Sequence, residues 1–154
     1  MNINYEIRDT ELYGKGIFAL DNILIGTCIW FYQLNRNVFE YNAEESKKHL
    51  KHLPNLSAQQ DFLNLSFGKG EVLCLITDDG QYMNHADAAT CNCKTDLQTG
   101  HCYARRDIRR GEQLFEDYSM YSHPSFLYPL LKEYQCEPNY YEMPYVSYNL
   151  NYII

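Results

Sequence analysis

The sequence contains no long apolar segment. None of its apolar runs approaches the roughly 18 residues that a membrane helix needs, and the N-terminal stretch "MNINYEIRD" lacks the basic and apolar regions of a signal peptide. We therefore expect an intracellular protein that is not bound to a membrane. Because that compartment is reducing, the six cysteines are expected to be free thiols or metal ligands rather than disulfides.

Basic residues are also scarce, with 13 Lys and Arg against 20 Asp and Glu and a formal net charge of −7 at pH 7. This balance argues against direct nucleic-acid binding, and it makes a basic peptide the better electrostatic match. The 154 residues contain no internal repeat and no interdomain linker, so the length predicts one domain with its own core.

The ligand pairs of a structural zinc site are missing from the cysteine-rich stretch. Such sites usually supply two well-spaced pairs, for example Cys-x2-Cys twice. Here one residue separates Cys91 from Cys93, and His101 adjoins Cys102, so that the last two would point to opposite faces of a strand. We expect small buried thiols and no metal, with a zinc-binding structural protein as the weaker alternative.

The segments that are present predict a mainly β protein with a small helical insert. Short runs with β character, divided by glycine turns, are "NINYEIR", "KGIFAL", "GTCIWFYQL", "EVLCLIT" and "GHCYARRDI". Between about residues 42 and 66 the pattern is helical: Asn42 can cap a helix, Glu45 stands at the capping-box position, and Pro54 follows as a stop. A second helical piece is expected from Ser57, and one more helix around residues 125–134.

Three short motifs are candidates for function. The Gly-x-Gly of "YGKGIF" can bring backbone close to a ligand, although a plain turn explains it equally well. In "GQYMNHADAATCNC" an Asn-His pair lies in a loop of small residues, which suits a metal site, a buried histidine or a cofactor pocket. The third, "RRDIRRGEQLFEDY", opens with a basic cluster that we interpret as a solvated surface, made of Arg105, Arg106, Arg109 and Arg110.

The order of these motifs resembles that of the SET-domain protein lysine methyltransferases, over roughly residues 3–120. "GKGIFAL" is similar to the family's first motif, "ITDDGQYMNHADAATCN" to its Asn-His block, and "ARRDIRRGEQLFEDY" to its last motif. The resemblance implies a minimal, stand-alone SET fold of several small β-sheets around a C-terminal pseudoknot. It places a SET domain at residues 1–120 and a Tyr-rich extension at 121–154. This extension would close the substrate channel, pack on the domain or pair with another subunit.

The resemblance also implies an activity, namely transfer of a methyl group from S-adenosyl-L-methionine to a protein lysine. Backbone around Lys15 and Gly16 would contact this cofactor, Asn84 would bind its methionine end, and the backbone at His85 would meet its adenine. Tyr118 would be the catalytic residue at the reaction centre and would also contact the cofactor.

The substrate lysine would enter a channel, and the resemblance implies that the channel is lined by Tyr32, Tyr82, Phe115, Glu116 and Tyr121. The expected partner is a basic, lysine-bearing protein or peptide. A histone tail is one possibility, which would place the protein in the nucleus and connect it with chromatin.

The sequence departs from the family pattern at several positions. Six residues, rather than the usual four, separate His85 from Asn92, and Cys91 replaces a proline. The resemblance implies that Asn92 braces this loop. The Tyr-x-Gly motif at Tyr32 lacks its glycine, and Glu116 stands where the family often has Phe or Tyr. These departures keep open an alternative, a catalytically impaired SET-like module that binds a peptide or scaffolds a complex.

Overall fold

The structure is a computed structural model that describes residues 1–136. The predicted Tyr-rich extension lies largely outside the described residues. The described chain is mostly β-sheet with three short helices, which confirms the predicted fold class. All six cysteines are free thiols. No helix in residues 1–136 has the length and apolar character to cross a membrane.

The elements are short and follow one another closely. The strands are β1 (Tyr5–Thr10), β2 (Gly14–Ala19), β3 (Cys28–Trp30), β4 (Val38–Tyr41), β5 (Ser66–Lys69), β6 (Val72–Ile76), β7 (Asn84–His85), β8 (Cys93–Thr95), β9 (Cys102–Ala104) and β10 (Phe115–Glu116). The helices are α1 (Ala43–His52), α2 (Leu56–Leu65) and α3 (Leu127–Glu133), and two 3-10 turns span Asp79–Tyr82 and Tyr118–Met120.

The described residues form two compact units. The first unit contains residues 1–38 and 76–118, and the second contains 39–75 together with the chain from residue 119. The family-based boundary near residue 120 stays a prediction.

The second unit contains the helical insert, which begins as the sequence predicts. Asn42 Oδ1 accepts hydrogen bonds from the backbone N–H of Glu44 at 2.9 Å and of Glu45 at 3.0 Å, while the Glu45 carboxylate accepts from Asn42 N–H at 2.9 Å. This capping box satisfies N–H groups that the helix cannot pair internally. The second helix starts one residue before the predicted Ser57, because Asn55 is its cap and accepts from Ala58 N–H.

The helices of the second unit pack around one apolar core. Its fully or nearly fully buried members come from both parts of the unit: Leu50, Phe62, Leu63, Leu73, Leu127 and Leu130. The unit also contains most of a three-stranded sheet in the order β4, β6, β5. Since α3 supplies Leu127 and Leu130, the predicted C-terminal helix is confirmed and has a clear role in this core.

The first unit contains the β1–β2 hairpin and a five-stranded sheet in the order β3, β9, β8, β10, β7. Strand β10 is parallel to both neighbours, β7 and β8, although these two are consecutive in the chain. The connection between them, residues 86–92, therefore crosses β10. This is the predicted pseudoknot, in which a C-terminal segment passes under a loop.

Candidate functional site

The Asn-His pair forms β7 and lies beside the first glycine motif. The Asn84 side chain donates a hydrogen bond from Nδ2 to the backbone oxygen of Lys15 at 2.9 Å. Along β10, Asn84 is the register partner of Phe115 and His85 is the partner of Glu116. The structure thus brings together the predicted cofactor residues of the hairpin and those of the Asn-His loop.

Gly16 is a glycine because another side chain occupies the space above it. A Cβ atom built there would lie 2.4 Å from Gln113 Nε2 and 3.0 Å from a methyl group of Thr10. Gln113 Nε2 is itself buried and makes no hydrogen bond within the described chain. The sequence did not single out Gln113, although it lies within the last motif. A side chain at position 16 would therefore require the amide of Gln113 to move.

Asn92 connects the two ends of the pseudoknot. Its side chain is almost completely buried, donates from Nδ2 to Gln113 O at 2.8 Å and accepts at Oδ1 from Phe115 N–H at 2.8 Å. Its backbone N–H donates to Phe115 O at 3.1 Å. Asn92 thus forms three hydrogen bonds with residues 113–115, the segment that passes under the loop. It therefore occupies the bracing position that the resemblance implies.

Tyr118 follows β10 and is tied to the Asn-His loop at two points. Its backbone N–H donates to His85 Nδ1 at 3.1 Å, and its hydroxyl donates to the backbone oxygen of Met83. The first bond makes Nδ1 the acceptor and places the proton of a neutral ring on Nε2. His85 Nδ1 also lies 3.3 Å from Glu116 O, and the rings of His85 and Tyr118 are 5.4 Å apart. The predicted catalytic hydroxyl is therefore held next to the loop that carries Asn84.

Glu116, predicted in the lysine channel, is buried beside two thiols. It pairs with Cys93 of β8 in the sheet register, and only 6% of its surface is exposed. The pKa of the Cys102 thiol is raised well above its usual value by Cys93, by burial and by the charge of Glu116. Cys102 Sγ lies 3.8 Å from Met83 Sδ. Both thiols are buried core groups, and the described chain contains no cluster of three His, Cys, Asp or Glu side chains suited to a metal.

Phe115 faces the opposite way from Glu116 and packs against Tyr13. The two rings meet edge to face with centroids 6.0 Å apart. Because paired residues of neighbouring strands share a face, Phe115 lies on the same face as Asn84. Tyr13 is an aromatic neighbour that the sequence reasoning missed, although it stands directly before the glycine motif.

The remaining predicted channel residues have other neighbours. The Tyr32 ring lies against the backbone of Gly100 and meets the Trp30 ring at 6.1 Å. Tyr82 ends the 3-10 turn before Met83. Tyr121 belongs to the second unit, where its ring lies 4.7 Å from that of Phe67. A common channel for these tyrosines stays a prediction.

The longer loop between His85 and Asn92 is stabilised by the side chain of Arg105. Arg105 donates from Nη1 to the backbone oxygen of Ala88 and approaches Cys91 Sγ at 3.0 Å. Cys91 itself is buried. The lengthened loop is therefore held by the side chain of Arg105. All four arginines of the basic cluster are exposed, as predicted.

An acidic side chain that the sequence reasoning did not single out holds the turn before this loop. The Asp78 carboxylate accepts from Gly80 N–H at 3.0 Å, from the Trp30 indole N–H at 3.0 Å and from Asn37 Nδ2 at 3.0 Å. The only sequence signal was the "TDDG" at the start of the Asn-His block, which is equally typical of an ordinary turn.

Comparisons with known proteins agree with this architecture. The family model described as SET domain matches residues 14–119. A solved structure, the "putative histone methyltransferase" of Plasmodium falciparum, has a TM-score of 0.52 and 17% sequence identity, over 77% of this chain and 95% of that one. At this identity the likeness shows the fold alone. The curated proteins give no match. The chain belongs to the SET-domain family, whose members are usually methyltransferases.

Proposed function

We propose that the protein is a protein lysine N-methyltransferase that uses S-adenosyl-L-methionine. The observation that carries this proposal is the attachment of Tyr118 to both ends of the motif Met83–His85, through its hydroxyl and its backbone N–H. Loss of this attachment would leave no candidate for the reaction centre.

The residues beside the glycine motif suit the cofactor. The Asn84 amide uses Nδ2 to bind Lys15 O, and its Oδ1 can accept a hydrogen bond from the ammonium group of a bound methionine moiety. The edge-to-face pair of Tyr13 and Phe115 lies on the same side and offers apolar surface. When bound, S-adenosyl-L-methionine supplies a methyl group on a positively charged sulfur atom.

Tyr118 acts by orientation in this proposal. Because its hydroxyl donates to Met83 O, the ring is fixed, and an oxygen in this position can act as an acceptor in weak C–H···O contacts. Holding the reacting atoms about 3–3.5 Å apart and in line can lower the barrier by several kcal/mol. No metal and no general-base triad takes part in the proposed mechanism.

The substrate amine must lose its proton before it can react. Lysine has a reference pKa of about 10.4, so roughly one amine in a thousand or fewer is neutral at pH 7. A desolvating aromatic channel and the neighbouring positive sulfur both favour the neutral amine. The activity is therefore expected to rise with pH across the neutral range.

The charge of the protein supports a basic substrate. With a net charge of −7 the molecule attracts a lysine-bearing, basic segment. We propose a histone tail as the first substrate to test, with chromatin and the nucleus as the setting. The name of the Plasmodium falciparum structure motivates this choice.

The first test is binding and turnover. Titration calorimetry with S-adenosyl-L-methionine is expected to show one site, and arrays of histone and non-histone peptides are expected to show methylated lysines. Tyr118→Phe should retain cofactor binding but lose about 100-fold or more in kcat, because the orienting hydroxyl is gone. Tyr128→Phe is the matched control, since that ring lies on α3 and is 55% exposed.

Three results would decide against the proposal. Failure to bind the cofactor contradicts the methyltransferase assignment. Binding without turnover on any peptide favours the catalytically impaired module, for which the buried carboxylate of Glu116 gives a physical reason. Equal activity of wild type and Tyr118→Phe would show that Tyr118 is not the catalytic residue.

A further inference from the structure

We propose that Asp78 is a positioning residue for methyl transfer, because its carboxylate connects the turn that holds Met83 and Tyr118 to the segment that carries Trp30 and Tyr32. This inference rests on the proposed function. It concerns a residue at the start of the Asn-His block to which the sequence assigned no role, and it follows from the contacts of one side chain.

The Asp78 carboxylate accepts hydrogen bonds from two directions. Within its own turn it accepts from Gly80 N–H at 3.0 Å. From the other side it accepts from Trp30 Nε1, which lies 3.0 Å from each carboxylate oxygen, and from Asn37 Nδ2 at 3.0 Å. The amino group of Met1 lies 3.9 Å from the same carboxylate. Because a carboxylate is an acceptor at all its lone pairs, it can satisfy these donors simultaneously.

The turn leads directly to the reaction centre. Met83 N–H donates to Gly80 O at 3.1 Å, and Met83 O accepts the hydroxyl of Tyr118. The side chain of Asp78 therefore fixes Gly80, which fixes Met83, which holds the catalytic hydroxyl. A displacement of this turn would move the acceptor of the Tyr118 hydrogen bond.

The second direction leads to the aromatic segment. Asn37 donates its other amide hydrogen to Phe31 O at 2.9 Å and accepts from Gln33 N–H at 2.9 Å, so it holds the backbone on both sides of Tyr32. The Trp30 ring meets the Tyr32 ring edge to face. Asp78 thus fixes both the indole and the amide that define this segment.

The turn at Gly80 and the indole of Trp30 pack directly against each other, so neither can move independently. A Cβ atom on Gly80 would lie 2.7 Å from Trp30 Nε1, so the turn and the indole are in direct contact. Trp30 is also 95% buried. A buried donor that loses its acceptor is destabilising, so the loss of one acceptor oxygen of Asp78 should affect both the turn and the indole.

Asp78→Asn tests the connection at constant side-chain size. The new NH2 group would face the donors of Trp30 or Asn37, so at least one hydrogen bond is lost. Asp79→Asn is the matched control, because the adjacent carboxylate accepts from the Tyr5 hydroxyl at 2.7 Å and an amide oxygen in its place can still accept that hydrogen bond.

Hydrogen exchange measured by NMR without any ligand gives the first readout. In Asp78→Asn the backbone N–H of Gly80 and Met83 and the indole N–H of Trp30 should exchange about 10-fold faster or more, as expected for a local opening. The control should leave these three groups within about 3-fold of wild type. Trp30 is the only tryptophan of the chain, so its fluorescence emission reports the same change.

Kinetics give the second readout. Asn84 is held separately by Lys15 O and by the register with Phe115, so the KM for S-adenosyl-L-methionine should stay within about 3-fold of wild type. The displaced Met83 carbonyl should lower kcat by about 10-fold or more. A purely structural role would reduce the active fraction, counted by cofactor titration, without changing kcat per active molecule.

The outcomes are distinct. Wild-type kcat in Asp78→Asn, or exchange rates equal to those of Asp79→Asn, would overturn the proposal. If Asp78→Asn does not fold, Trp30→Phe removes a single donor, and it should accelerate exchange at Gly80 and Met83 in the same direction. If the wild type shows no methyl transfer, the proposed function fails, whereas hydrogen exchange still decides whether Asp78 links the two segments.

Discussion

At the scale of single residues, the pseudoknot is stabilised by hydrogen bonds from asparagine side chains. Asn92 forms two side-chain hydrogen bonds of 2.8 Å with the segment that enters beneath it, and Asn84 reaches across to the β1–β2 hairpin. An amide has both donors and an acceptor, so one side chain can pair with a backbone N–H and a backbone C=O at once. Loss of such a side chain leaves both of these backbone groups without a partner.

Asn92→Ala is therefore expected to lower the free energy of unfolding by about 2–4 kcal/mol, since two partly buried backbone groups lose their partners. Urea denaturation followed by circular dichroism measures the change. Asn22→Ala is the control, because Asn22 is exposed and accepts one hydrogen bond, from Arg110 N–H, and it should cost less than about 1.5 kcal/mol. Similar costs for the two variants would contradict the bracing role of Asn92.

The sequence predicted some site residues and missed others for a physical reason. Asn84, His85 and Tyr118 lie in motifs whose order is recognisable, and the structure brings them together. Gln113 and Asp78 were missed. Their contacts are with residues distant in the chain, such as Gly16 and Trp30, and no local pattern indicates which side chain will fill a given space.

At the scale of the elements, two glycines lie close to other parts of the chain, and the neighbouring atoms differ in kind. At Gly68 in β5 a Cβ atom would lie 1.8 Å from the backbone oxygen of Ser122 and 2.6 Å from the ring of Pro124. At Gly16 in β2 the obstacle is the end of the Gln113 side chain, which can rotate away. The same change should therefore have different costs at the two sites.

Gly68→Ala is expected to lower the free energy of unfolding by about 3 kcal/mol, and Gly16→Ala by about 1 kcal/mol. The double variant Gly16→Ala, Gln113→Ala should recover most of the smaller loss, because the obstructing amide is removed. Urea midpoints for the three proteins measure these effects. A larger loss at Gly16 than at Gly68 would show that Gln113 cannot move.

The β1 strand is connected to the 3-10 turn by a hydrogen bond that depends on pH. The Tyr5 hydroxyl donates to Asp79 at 2.7 Å, and this bond, with burial and the charges of Asp79 and Asp78, raises the pKa of Tyr5 to about 12. A raised pKa in the folded state means that the contribution is complete below about pH 10 and is lost as the pH rises through about 12.

Tyr5→Phe should therefore be less stable than wild type at pH 8, with a difference that shrinks between pH 10 and 12. Urea denaturation at several pH values measures it, and Tyr128→Phe serves as the control with a constant, small difference. A difference that grows with pH would show that the phenolate, not the phenol, is the stabilising form.

Helices were predicted closely and strands less so. Helix α1 was predicted by a capping box within four residues of sequence, Asn42 to Glu45. Strand β10, in the last motif, contains only Phe115 and Glu116, which are the residues paired with the two-residue strand β7. Strand β5 was not predicted, since its pairing with β6 depends on a turn at Gly70. Interactions between residues close in sequence determine where a helix ends, whereas pairing with neighbouring strands determines where a strand ends.

At the scale of the whole molecule, cofactor binding should increase the free energy of unfolding. A ligand present at 100 times its Kd raises the free energy of unfolding by about 2.7 kcal/mol when it binds the folded state alone. S-adenosyl-L-methionine at that concentration should shift the urea midpoint accordingly, and Tyr118→Phe should show the same shift because its cofactor contacts remain. An unchanged midpoint in both proteins would contradict cofactor binding.

The crossing of residues 86–92 over β10 has a consequence for biosynthesis. Strands β7 and β8 leave the ribosome about 20 residues or more before β10, yet β10 must lie between them. The five-stranded sheet of the nascent chain therefore cannot close until residue 116 has emerged, and the position between β8 and β7 stays open until then. Any earlier collapse of β7 onto β8 has to be reversed, so the order of synthesis itself makes this sheet a late-forming part of the protein.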